Sequence, residues 1–128
     1  MSLKSFGVDA SFGYSQAVRL GDLVFVSGQV AWDENHQIVG GGDARRQTEQ
    51  AFSNMRKALV AAGSGLDRVA KLTIFATSRD HLAVIREVRH QFFDPVGHYP
   101  ASTFIVVDGL AAPELLVEIE AVAAVGRT

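Results

Sequence analysis

The segment Tyr99-Pro100-Ala101-Ser102-Thr103-Phe104 sets two hydroxyls side by side between a proline and an aromatic residue, immediately ahead of the apolar pair Ile105-Val106. Hydroxyls at the mouth of a strand can orient a substrate or, beside a base, attack it. A nucleophile needs a partner, and the chain offers none at a recognisable spacing. Gly13-Tyr14-Ser15-Gln16-Ala17 lacks the final glycine of a nucleophile elbow, and Val26-Ser27-Gly28-Gln29 ends a strand with no histidine of evident partnership. Ser15, Ser27, Ser102 and Thr103 therefore read as hydrogen-bonding groups. The chain has 0 cysteines, which removes thiolate catalysis, disulfide frameworks and zinc ribbons together.

His36, His81, His90 and His98 fall in separate segments, without the spacing that puts two imidazoles on one helical face. Asp33-Glu34-Asn35-His36 starts like a calcium loop, but Gln37 and Ile38 stand where an oxygen ligand and a glycine are needed. No metal or other cofactor is expected. Gly40-Gly41-Gly42 precedes a helix start, where backbone amides can hold an anion, but Asp43 is placed to take those amides itself. The net charge of −2 gives no overall field for a polyanion. Arg45, Arg46, Arg56 and Lys57, and further on Arg79, Arg86, Arg89 and His90, make basic helix sides without interleaved aromatics. They read as solvated faces, and nucleic acid is not an expected partner. The apolar runs at 23–26 and 104–107 are far too short to cross a bilayer, and residues 1–11 lack the pattern of a signal peptide, so a cytoplasmic location is expected.

Whatever these residues do, a single domain over residues 1–128 must position them; 48% apolar and 20% charged residues suit one compact core. Two segments have helical spacing. The first is capped by Asp43, carries Thr48, Ala51, Phe52, Met55, Leu59 and Ala62 on one face and ends at Gly63; the second is capped by Ser78 and stops at Asp94-Pro95. In the second, Leu82, Ile85, Phe92 and Phe93 share an apolar stripe that Arg89 interrupts. Strands are expected at 16–20, 23–30, 69–77, 102–107 and 115–124, with a hairpin at 19–23 and a short extra strand near 36–40. The order β-β-α-β-α-β-β implies an α/β fold, one mixed sheet with both helices on one face. In the last strand Val117, Ile119, Ala121, Ala123 and Val125 should meet the helices, leaving Leu116, Glu118, Glu120 and Val122 on the other side. That second face is partly apolar and needs a cover, so a homo-oligomer is expected with Glu118 and Glu120 near its interface.

These pieces, in this order, resemble the YjgF/RidA family over residues 12–123. The likeness rests on Gly13-Tyr14-Ser15-Gln16-Ala17-Val18, on Val26-Ser27-Gly28-Gln29-Val30, and on Gln47, Thr48, Gln50, Asn54, Leu59 and Ala62-Gly63. It continues through Phe92-Phe93, residues 99–103 and Glu118-Ile119-Glu120-Ala121. The resemblance implies a chorismate-mutase-like fold and a homotrimer whose sheets form a central barrel, with small-molecule clefts between subunits. It also implies cofactor-free hydrolysis of reactive imines and enamines to 2-keto acids and ammonia. By the same resemblance Tyr14 and Ser27 line the cleft and Glu120 helps place the attacking water.

One departure matters chemically. Where the family has an arginine that clamps the substrate carboxylate through two parallel charge-assisted bonds, this chain has Ser102; two positions on, where cysteine is common, it has Phe104. A hydroxyl brings no positive charge, so the resemblance read alone predicts weak or absent deamination of ordinary 2-imino acids and a larger, more neutral pocket. Arg86, on the second helix where many relatives carry asparagine, is a candidate to deliver the missing charge. Three functions stay open: a hydrolase using Glu120 with Tyr14, Ser27 and Ser102; a trimeric metabolite binder without turnover; and an RNA-directed role, as attributed to some relatives.

Overall fold

The computed structural model describes residues 2–126. Six strands form one mixed sheet: β1 Leu3–Asp9, β2 Tyr14–Leu20, β3 Leu23–Gln29, β4 Val69–Ala76, β5 Ala101–Val106 and β6 Val117–Ala124, in the spatial order β1-β2-β3-β6-β4-β5. All neighbours are antiparallel except β4 and β5, whose connection runs through the second helix. β1 is a correction to the strand order expected from sequence. Its residues are mostly exposed and do not alternate, and it becomes a strand by pairing with β2, from Leu3 opposite Leu20 to Asp9 opposite Tyr14. β2 turns into β3 through Gly21, whose φ of 59° suits a tight hairpin that bulkier residues disfavour. The expected extra strand near 36–40 is a single bridge between Trp32 and Ile38.

Both helices form where the apolar spacing places them. α1, Ala44–Ala61, is capped by Asp43, whose Oδ1 accepts from the amides of Arg45 at 3.0 Å and Arg46 at 3.2 Å. Asp43 thus occupies the amides that could have held an anion. Ser78 caps a short 3₁₀ turn, Arg79–His81, that leads into α2, Leu82–Phe93. The helices meet through Phe52, stacked on Phe92 at 5.3 Å between ring centroids and edge-on to Phe93 at 5.9 Å. Beneath them Val117, Ile119, Ala121 and Ala123 of β6 join Leu72, Ile74 and Ala76 of β4 in the buried core, as the alternation predicts.

Polar side chains on the inner side of α1 hold the loops. Gln47 is fully buried: its Nε2 donates to the carbonyls of Gly40 at 3.2 Å and Glu114 at 2.9 Å, and its Oε1 accepts from the Leu116 amide at 2.8 Å. One side chain therefore joins the loop before α1 to the loop before β6. Asn54 donates to the carbonyls of Val30 and Trp32 at 2.9 and 2.8 Å, and Gln50 donates to Asn54 at 2.9 Å, fixing the exit from β3. Replacing Gln47 by leucine keeps much of the volume but strands two carbonyls and an amide at part-buried positions. Gln47→Leu is expected to destabilise the fold by about 2–4 kcal/mol, seen as a lower urea midpoint at unchanged slope.

Candidate small-molecule site

Alternation along the strands sorts the candidate residues onto opposite sides of the sheet. Ser102 of β5 lies beside Leu72 and Phe104 beside Ile74, so both share the face that the helices cover. Phe104 is half-buried and packs against the core. Thr103 points to the other face, where Lys71 Nζ donates to its Oγ1 at 2.5 Å. Glu120 lies beside Thr73, exposed on that open face, with Glu118 beside Phe75.

Tyr14 opens β2, exposed, its ring 6.5 Å from that of Phe12. Ser27 is half-buried near the end of β3, donating to the Ser15 carbonyl at 2.6 Å. β2 and β5 are four strand spacings apart, about 19 Å. A single chain therefore does not bring Tyr14, Ser27 and Glu120 to Ser102.

It does bring Ser102 to the basic side of α2. A hollow of about 240 Å³ is lined by Arg86, Arg89, His90, Tyr99, Pro100 and Ser102. Arg89, rather than Arg86, makes the direct contact: its Nη1 donates to Ser102 Oγ at 3.0 Å. Burial, and then the like charge of Arg86, hold the Arg89 guanidinium below its ordinary pKa. The sequence signal for Arg89 was its intrusion into the apolar stripe of α2. A charge on a buried stripe has to emerge at the rim of that stripe, and here the rim is the end of β5.

The remaining polar groups of the hollow are engaged with one another. Asp94 accepts from the Tyr99 hydroxyl and lies 2.9 Å from His90 Nδ1. The tyrosine bond first, and then His90, lower the Asp94 pKa, and the same bond raises that of Tyr99. Glu87, the acid within α2, is bound by Arg45 of α1 at 2.5 Å.

A larger concavity of about 490 Å³ lies at the opposite edge, between β1 and the loop after β3, and includes Tyr14, Gln16, Trp32, His36 and Lys57. Trp32 and His36 stack there at 5.3 Å with Phe12 against both. Asp33, the start of the calcium-like stretch, spends its Oδ1 on the amides of Asn35 and Gln37. Among the described residues no cluster of His, Asp and Glu suits a metal ion. Among the described residues no helix is long and apolar enough to cross a membrane.

The fold and hollow define a class: a small α/β domain with one bare sheet face and an arginine-lined recess at the sheet's edge. A family model described as Endoribonuclease L-PSP matches residues 7–125. A RutC family protein of Pyrococcus horikoshii is 34% identical over 110 residues, covering 86% of this chain and 85% of that one. A 2-iminobutanoate/2-iminopropanoate deaminase of Dermatophagoides farinae is 32% identical over 109 residues, covering 85% and 83%. The crystal structure of E. coli TdcF with bound serine superposes with a TM-score of 0.82 at 32% identity, covering 94% of this chain and 91% of that one. The chain belongs to the YjgF/RidA family.

Glu118 gives the open face a pH dependence. Its carboxylate lies over Gly28, where an added Cβ would sit 2.2 Å from Oε2. Burial, and then the charge of Glu120, raise its pKa above the ordinary 4.5. A raised carboxyl pKa means that ionisation costs more in the folded chain than in the unfolded one. Stability should therefore fall as pH rises from 4.5 through the raised value, and level off above it. Glu118→Gln removes that loss: the melting temperature of the variant should gain on the parent across this window, and parallel curves would contradict the assignment.

Proposed function

We propose that the protein is a cofactor-independent hydrolase of small 2-imino and enamine acids, acting in clefts between the subunits of a homotrimer, with Arg89 carrying the charge that relatives carry at position 102. One observation carries this reading: the 3.0 Å bond from Arg89 to Ser102. The expectation of weak deamination rested on a missing guanidinium, and a guanidinium stands beside the serine from α2 instead. The deaminase relative supports the reaction class. TdcF, holding serine, is a family fold with a small carboxylate-bearing molecule bound.

In this reading the substrate carboxylate lies against Arg89 and Ser102, whose hydroxyl accepts from Arg89 and keeps its own proton to donate. Arg86 stands at the mouth and Phe104 backs the wall. Tyr14, Ser27 and Glu120 come from the adjacent subunit. Water, held by Glu120, adds to the C=N carbon; the resulting carbinolamine expels ammonia and leaves the 2-keto acid, with water the sole co-reactant. An enamine first takes a proton on carbon to become the imine.

Assembly has independent support. Leu23 is 46% exposed and Phe25 41%, both on the face away from the helices, where Val18, Phe75 and Ile105 extend the apolar surface. Covering that face stabilises by roughly 25 cal/mol per Å² of apolar area. It also lets residues on opposite faces of different chains meet.

With the imine generated in situ by an amino-acid oxidase, the protein should accelerate hydrolysis, and Arg89→Ala should lower kcat/KM by about 100-fold, the loss expected for a charge-assisted clamp. Light scattering should give three times the chain mass of 13.8 kDa. A parent protein no faster than the buffer would overturn the hydrolase reading, and a monomer would overturn the cleft.

A further inference from the structure

The hollow beside Ser102 contains more positive charge than a single carboxylate requires. Arg86 and Arg89 stand one turn apart on α2, and side chains at that spacing are neighbours, about 5–6 Å between Cβ atoms. Among the described residues neither has a carboxylate within salt-bridge distance. The nearest acids do not serve them: Glu87, one residue from Arg86 and two from Arg89, faces another side of the helix and pairs with Arg45, and Asp94 is bound to His90 and Tyr99. His90 Nδ1 and the Tyr99 hydroxyl are in turn occupied by Asp94, which leaves the two guanidiniums as the unpaired fixed charges of the recess, beside the Ser102 hydroxyl.

Like charges this close repel, and partial burial of Arg89 sharpens the repulsion. Protein interiors compensate such pairs with acidic side chains, and here the nearby acids are turned away. Solvent reaches the exposed Arg86, and for the half-buried Arg89 a ligand carboxylate is the compensation still missing.

We propose that Arg86 and Arg89 together make this site selective for a dicarboxylate, the 2-imino or enamine form of an acidic amino acid, over the single-carboxylate acids. The assignment rests on reading the Ser102 recess as the substrate site. The carboxylate next to the reacting carbon takes Arg89 and Ser102, and the distal carboxylate takes Arg86 at the exposed mouth. Arg86 is then a specificity-determining residue, felt only by a ligand long enough and charged enough to reach it. The second carboxylate also relieves the repulsion between the arginines, so its contribution exceeds that of an isolated surface ion pair.

Titration calorimetry at low salt tests this without turnover, using 2-oxoglutarate, 2-oxobutyrate and inorganic phosphate as probes. 2-Oxoglutarate should bind at least about tenfold more tightly than 2-oxobutyrate, and Arg86→Gln should collapse that ratio towards one. Arg79→Gln, an exposed arginine outside the recess, should keep the ratio and controls for overall charge. Equal affinities in the parent, a ratio indifferent to Arg86→Gln, phosphate binding as well as the diacid, or no binding of any probe would each overturn the inference. Diacid preference with no hydrolysis of any imine would sustain it while removing the hydrolase reading.

Discussion

The structure depends on a sheet of period two that is covered on one side only. Each strand sends alternate residues to the helices and to the bare face, and a shift of one residue would exchange the two sets. β6 shows the consequence most plainly: Val117, Ile119, Ala121 and Ala123 are in the core while Glu118 and Glu120 stand opposite. The same rule applied to β5 puts Ser102 under α2 and Thr103 on the far side. Residues that the proposed reaction would bring to one small molecule are thus divided between faces. Folding alone cannot reunite them, and in the proposed trimer a second copy would both do so and cover the apolar residues that make the bare face unfavourable in water.

A sheet clad on one side also needs its helices held at fixed height, because the recess lies at their rim. Aromatic packing sets the spacing, with Phe52 of α1 against Phe92 and Phe93 of α2. Gln47 sets the register, since a side chain bonded to two loops at once admits little sliding of α1 along the sheet. The Arg45–Glu87 pair then ties the exposed side of α1 to α2. Its contribution to stability is small, as for most surface pairs. Its effect on the recess is positional: it helps fix α2, which carries both arginines, against α1.

Much of this was legible in the sequence. The alternation of 117–125, the Asp43 cap and the helical spacing of both helices are local patterns, and they appear as read. β1 was not legible, because its glycine-containing, mostly exposed run has no pattern of its own and draws its strand character from β2. Resemblance directed attention to Ser102 and, by position, to Arg86. It could not single out Arg89, since contact between α2 and β5 depends on how a parallel crossover brings its helix down beside the next strand. The clue was present as an exception, a charge within an apolar stripe.

In the proposed reading the cation moves from strand to helix, and that changes more than its address. An arginine on β5 would have its direction set by the pleat, whereas one on α2 must reach over and be aimed by what it meets. Ser102 provides that aim, accepting from Arg89 at 3.0 Å. It also provides room, since a third guanidinium on β5 would bring another like charge into a recess already shared by Arg86 and Arg89. Serine at 102 and arginine at 89 therefore make one device, in which the small residue is the condition for the large one. On this view restoring the family's arginine at 102 in this chain would compete with Arg89 rather than repair a loss.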